Sequence, residues 1–128
     1  MASVFPFRGI RYNPEKVGKL EEVVTPPYDV ISKEAQKNFY ERNPANIIRL
    51  ELGKTYVSDT DEDNQYTRAA ATYKQWLEEG ILFQEDKPSI YFYEQGFDPY
   101  DQHFIRKGII SALQLEEEVL KSYLNHSF

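Results

Sequence analysis

Residues 89–97, SIYFYEQGF, and residues 104–115, FIRKGIISALQL, flank the cluster Asp98-Pro99-Tyr100-Asp101. Both stretches are dense in Ile, Phe and Tyr, the β-branched and aromatic side chains that pack well on a pleated surface. Asp and Pro between them are turn chemistry. The spacing predicts two long strands joined by a loop wider than a two-residue hairpin turn, so the loop is expected to be mobile or functional.

Upstream, residues 64–79 carry Tyr66, Ala69, Ala70, Tyr73 and Leu77 at helical spacing, with Gly80 as the stop. Between helix and hairpin, Ile81-Leu82-Phe83 is a short apolar run. Residues 46–52 alternate Ile48, Leu50 and Leu52 against Ile47, Arg49 and Glu51, which predicts a strand. Ser32 is a good N-cap for a second helix reaching Arg42, which Asn43-Pro44 ends. Nearer the start, residues 4–12 are aromatic and contain Pro6, the pattern of an edge strand. Asn13-Pro14-Glu15 opens a short helix that Gly18 closes, and residues 20–24 extend again. The prolines of Thr25-Pro26-Pro27-Tyr28-Asp29 keep that stretch non-helical. The expected fold class is therefore α+β, one domain with a mixed or antiparallel sheet of about four strands and two main helices. Glu116-Glu117-Glu118 opens an atypical tail over residues 116–128.

The 128 residues are 41% hydrophobic and 15% aromatic, the composition of a chain that folds. With no cysteine, disulfides and thiolate chemistry are excluded. No export signal and no apolar run of membrane-spanning length is visible, so the expected compartment is the cytoplasm, with no membrane partner. Charge is uneven: residues 1–58 carry 9 basic and 7 acidic side chains, residues 59–128 carry 6 and 14. Nucleic-acid affinity rests on Lys and Arg neutralising phosphates, so no nucleic-acid partner is expected.

Few residues point to chemistry. Asp59-Thr60-Asp61-Glu62-Asp63-Asn64 imitates the start of a calcium loop, then fails where Asn64 replaces glycine and Ala70 replaces the bidentate glutamate. Those acidic groups serve equally to charge the following helix N-terminus. His103 and His126 are too isolated to suggest a metal site, and nothing specifies a cofactor. The best block is Pro26-Pro27-Tyr28-Asp29-Val30-Ile31-Ser32. A stiff loop feeding a helix N-terminus suits a small-molecule anion, with Tyr28 and Ser32 as binding residues and Asp29 held in place. The plainer reading gives the same residues to a chain reversal and a cap. On the expected strand, Arg49 and Glu51 share a face. Glu94 and Arg106 lie on the two long strands and can pair across them. If these charges converge they line a polar cleft; otherwise they are solvent-face ion pairs.

Pro6-Phe7-Arg8-Gly9-Ile10-Arg11-Tyr12-Asn13-Pro14-Glu15, the Pro26 to Ser32 block, Asn43-Pro44 with Asn46-Ile47-Ile48-Arg49-Leu50, then Pro88-Ser89-Ile90-Tyr91 and Arg106-Lys107-Gly108 resemble the uncharacterised bacterial and archaeal family called domain of unknown function 1015. The ordered blocks cover roughly residues 4–115. The family's proteins are longer, which implies that this chain is an N-terminal part whose partner is the remainder of its own protein. They continue into a His-Glu-Lys-Thr type motif, in place of which this tail offers His126-Ser127. The early strand, polar loop and helix are also similar to ParB-like free-serine kinases. Two functions follow as expectations: a structural or interaction domain, able to form a homo-oligomer, or a small-molecule enzyme such as a nucleotide-dependent phosphotransferase. The second uses Asp29, Arg49, Glu51, Glu94 and Arg106.

Overall fold

The computed structural model describes residues 3–115. It contains helices and short paired strands, the expected α+β class. The chain divides into two compact units, one of residues 10–83 and one of residues 1–9 with 84–128.

In the first unit, β2 (Ile10–Tyr12) pairs with β3 (Leu82–Gln84). Between them run α1 (Pro14–Val17), α2 (Lys33–Arg42), α3 (Ile48–Glu51) and α4 (Gln65–Glu78). The helix ends follow the sequence. Asn13 accepts from the Glu15 N–H to start α1, and Gly18 leaves it at φ 76°. Ser32 Oγ accepts from the Ala35 N–H. At α4 the Asn64 side chain accepts from Tyr66 and Thr67 N–H groups, while Thr67 Oγ1 accepts from the Asn64 N–H, a reciprocal cap. The core gathers Val17, Val23, Ala45, Trp76 and Leu82, with Tyr12, Leu50, Leu77 and Ile81 packed against it.

Three expectations need correction here. Residues 46–52 are not a strand. Asn46 is fully buried, and its Oδ1 accepts from the Ile48 N–H at 2.9 Å while its Nδ2 donates to the Glu22 carbonyl at 2.8 Å. That local turn starts α3, overriding an alternation that a helix of four residues also satisfies. Next, α4 keeps Ala69 and Leu77 of the expected face partly covered but turns Trp76, not the tyrosines, to the core. Thr72 one turn before Trp76, and Ala69 and Arg68 about two turns before it, are partly covered, while Tyr66 is 76% exposed. The widest side chain took the inner face, and two tyrosines were left outside it. Finally, residues 20–24 hold a 3-10 turn, Leu20–Glu22, rather than extended chain, and Val23 after it is fully buried.

In the second unit, β1 (Val4–Phe5) pairs antiparallel with β6 (Ala112–Leu113), and β4 (Tyr91–Phe97) with β5 (Phe104–Ile110). The antiparallel expectation holds for both pairs, but the strands form two-stranded ladders rather than one sheet of four. The expected strand over residues 4–12 is split into β1 and β2, and that over 104–115 into β5 and β6. Two glycines admit aromatic rings. The Gly9 N–H donates to Tyr91 Oη at 2.7 Å, and a Cβ on Gly9 would lie 2.6 Å from that oxygen. A Cβ on Gly108 would collide with the ring of Tyr93, its cross-strand partner. The tail over residues 116–128, including His126, lies outside the described residues.

Because Asn46 is buried with both side-chain groups bonded, Asn46→Ala leaves a carbonyl and an N–H without partners. A loss of about 2–4 kcal/mol is expected in urea unfolding followed by the fluorescence of Trp76. Asn64→Ala, removing an exposed cap, should lose only about 1 kcal/mol.

Candidate functional site

Between α2 and α4 lies a polar pocket of about 230 Å³, lined by Tyr40, Arg49, Gly53, Lys54, Tyr56, Gln65, Arg68 and Thr72. Tyr40 comes from the last turns of α2, Arg49 from α3, Gly53, Lys54 and Tyr56 from the following loop, and Gln65, Arg68 and Thr72 from α4. Arg49 donates to the carbonyls of Asn43 at 3.0 Å and Tyr40 at 2.8 Å, and its guanidinium lies 4.6 Å from the Tyr40 ring centre. Lys54 Nζ lies 4.5 Å from the same ring centre, and its backbone N–H donates to Tyr40 Oη. Arg68 is the wall's tie-rod: it pairs with Asp59 and Asp63 at 2.9 Å each and donates to the Lys54 carbonyl. The hydrogen bond from Arg68 holds the Asp59 carboxyl below the usual carboxylate range, aided by the Tyr56 N–H. The acidic run that imitates a calcium loop thus has an arginine as its cation.

The residues singled out in the sequence fall elsewhere or only partly here. Tyr28 and Asp29 belong to a single 3-10 turn, Tyr28–Val30, and both are exposed. Ser32 caps α2 beside a depression of about 190 Å³ bounded by Lys33, Gln36, Leu52 and Thr55. Arg49 lines the polar pocket. Glu51 does not share its face, because residues two apart on a helix point roughly 200° from each other; Glu51 accepts instead from Thr25 Oγ1 at 3.1 Å. Glu94 and Arg106 belong to the other unit and are not cross-strand partners. Glu94 stands opposite Lys107, with Nζ at 3.8 Å, whereas Arg106 stands opposite Gln95 and lies over the Phe97 ring. Alternation along β4 and β5 therefore sends Glu94 and Arg106 to opposite faces.

Tyr40, Lys54, Tyr56 and Arg68 escaped the sequence reading. The available signal was Gln65, Arg68 and Thr72, three polar residues on the same stripe of α4 as Trp76. A helix that turns polar groups inward needs partners for them.

Two apolar surfaces remain. One is an open groove of about 740 Å³ in the 10–83 unit, lined chiefly by Ile10, Tyr12, Leu20, Val24, Leu50 and Phe83. The other is the β4–β5 hairpin. One face carries Phe92, Ile105 and Ile109, the opposite face Tyr93, Phe97, Phe104 and Ile110, and all seven are exposed. At the hairpin's tip Tyr100 and Asp101 adopt φ 54° and 63°, and Tyr100 is 98% exposed. His103 Nδ1 meets Asp98 Oδ1 at 2.6 Å across that loop. Among the described residues no cluster of three or more His, Asp or Glu could hold a metal ion, and no helix is long and apolar enough to cross a membrane.

A family model described as a protein of unknown function (DUF1015) matches residues 4–126, over which the resemblance read from the ordered blocks is borne out. No curated protein and no solved structure matches the chain.

Tyr12, at the end of β2, offers a titration marker. Its hydroxyl donates to the Ala45 carbonyl at 2.7 Å, and burial pushes its pKa from 10.0 up to about 12, with the Arg49 charge pulling the other way. The folded state favours the neutral phenol, so this contribution is fully present below pH 10 and is lost as pH rises towards 12. Tyrosinate absorbance should show one late-titrating tyrosine that Tyr12→Phe removes, at a cost of about 1–2 kcal/mol for the orphaned carbonyl.

Proposed function

The chain belongs to the DUF1015 family of proteins of unknown function, and we propose that it acts as an interaction domain whose β4–β5 hairpin is covered by another polypeptide surface, the remainder of its own longer protein. The observation that carries this reading is apolar exposure on both faces of one two-stranded ladder. Phe92 is 84% exposed on one face, and Ile110 is 50% exposed on the other. An isolated two-stranded hairpin is at best marginally stable in water, and three or more strands or a packed layer are what normally sustain one. Apolar surface gains about 25 cal/mol per Å² when covered, so seven large side chains supply a strong drive to do so. Each strand also pairs on one side only among the described residues, leaving open edges.

The chemistry favours protein over lipid or nucleic acid. Glu94 balances Lys107 on one face, and Asp98 and Asp101 sit at the tip, a poor match to anionic headgroups or phosphates. The cytoplasm is the compartment proposed with this reading, because a chain without cysteine needs no oxidising environment. A second reading, a phosphotransferase holding an anion at the Pro26 to Ser32 block, is favoured by the depression beside the formed Ser32 cap. Under it, Ser32→Ala weakens anion binding as well as costing about 1 kcal/mol.

In sedimentation the 128-residue chain is expected to self-associate with rising concentration and to bind an apolar dye. Phe92→Lys with Ile109→Lys should suppress both, leaving Trp76 fluorescence unchanged. A monomer at all concentrations that binds no dye would sink the reading.

A further inference from the structure

Two cations share one ring in the polar pocket, and among the described residues neither has an anion. Arg49 and Lys54 lie 4.6 and 4.5 Å from the centre of Tyr40, and no described carboxylate is within ion-pair distance of either. Both line the same pocket, where a negative group within reach of the two would be attracted by each. Arg49 uses two of its five N–H donors on carbonyls. The Lys54 ammonium has three donors, and among the described residues none reaches a hydrogen-bond acceptor. Arg68 differs, since Asp59, Asp63 and the Lys54 carbonyl occupy it.

We propose that this pocket binds a phosphate group, either inorganic phosphate or the phosphoryl head of a small phosphomonoester, through Lys54 and the free edge of Arg49. Charge selects phosphate over a carboxylate: two uncompensated cations match the roughly −1.5 to −2 charge of a phosphoryl group near neutral pH. Direction selects it too. The donors come from α3 and from the loop after it, which suits a tetrahedral group, whereas a planar carboxylate is satisfied by one arginine edge. Size limits the ligand. At about 230 Å³ the pocket is below the ~300–1,000 Å³ of sites that enclose drug-sized molecules, so it accepts the phosphoryl group and leaves any larger body outside. Arg68 is a positioning residue that ties Lys54 to α4 and the 59–63 loop.

The test titrates the 128-residue chain with inorganic phosphate, glycerol phosphate and acetate at fixed ionic strength, read by calorimetry and by amide and Arg Nε resonances. Phosphate is expected to bind saturably, shifting the amides of residues 53–55 and the Nε signal of Arg49. Lys54→Met keeps an unbranched stem over Tyr40 and should weaken binding about tenfold or more, the factor for one charge-assisted hydrogen bond, with the Trp76 unfolding curve unchanged. Arg49→Lys should weaken it similarly. Glycerol phosphate binding as tightly as phosphate, or more tightly, supports a phosphomonoester ligand; binding of phosphate alone supports the free ion. The proposal fails if Lys54→Met binds phosphate as the parent does, if acetate matches phosphate, or if no saturation is seen by about 50 mM. It fails equally if the shifts are confined to residues 33–35, which would place the anion at the Ser32 cap.

Discussion

One buried amide organises the 10–83 unit. Asn46 is fully buried, and a polar side chain in that position is tolerable only when its donor and acceptor are both bonded. Its Nδ2 reaches the Glu22 carbonyl and its Oδ1 the Ile48 N–H, while the Ile47 N–H donates to the Val23 carbonyl. The bonds to Glu22 and Val23 stitch the turn at residues 20–23 to the start of α3, and the bond to Ile48 caps that start. They put Val23 and Ile48, both at 0% exposure, into the interior. Asn43 repeats the device one step earlier. Its Oδ1 accepts from the Ala45 N–H and its Nδ2 donates to the Val17 carbonyl. Two asparagines thus replace the strand ladder that the local sequence imitates, and the chain between α2 and α4 is held by side-chain bonds to backbone rather than by a sheet.

That substitution explains what was legible in the sequence and what was not. Helix ends were legible because their chemistry is local: Asn13, Ser32 and Asn64 each cap the residues immediately after them, and Gly18 and Gly80 take positive φ at the stops. The hairpin strands were legible for the same reason, since β4 and β5 are neighbours in sequence. The segment from Asn46 to Leu52 was not, because alternating apolar residues over so few positions fit a strand and a single helical turn alike. What decided between them was the burial of Asn46 against Glu22, a contact 24 residues away. The face of α4 was legible only in part, on similar grounds: Leu77 packs against the core as expected, and the tyrosines do not face it. Tyr73 and Trp76 both offered apolar area, and only the tertiary partners Tyr12 and Val17 selected Trp76.

The candidate site was half legible. Arg49 was singled out, but for a shared strand face with Glu51 that α3 abolishes. Its actual setting comes from the bends at Asn43 and Asn46, which bring its guanidinium to the Asn43 and Tyr40 carbonyls. Tyr40, Lys54 and Arg68 come from three separate elements, so no spacing rule could have joined them. Glu94 and Arg106 were correctly placed on paired strands, yet a register offset of one residue set them on opposite faces.

The two units solve the same problem with different means. Around residues 10–83, a small core is supplemented by polar contacts that each carry a cation: Arg49 on carbonyls and Tyr40, Arg68 on two aspartates and Tyr56. In the unit built on β4 and β5, glycines take that role. Gly9 and Gly108 give up their side chains so that Tyr91 and Tyr93 can lie against backbone, with Phe7 tilted on Tyr91 at 5.1 Å between ring centres. Rings packed on backbone this way cover one short stretch of each strand and leave the remaining Phe and Ile side chains outward. The first unit is held largely by polar contacts and keeps one open apolar groove, whereas aromatic contacts leave the second with apolar side chains on both faces of its hairpin. This difference in how each unit is held, rather than the apolar content of the chain, is what supports the proposed contact of the hairpin with other polypeptide and the proposed anion site among the helices.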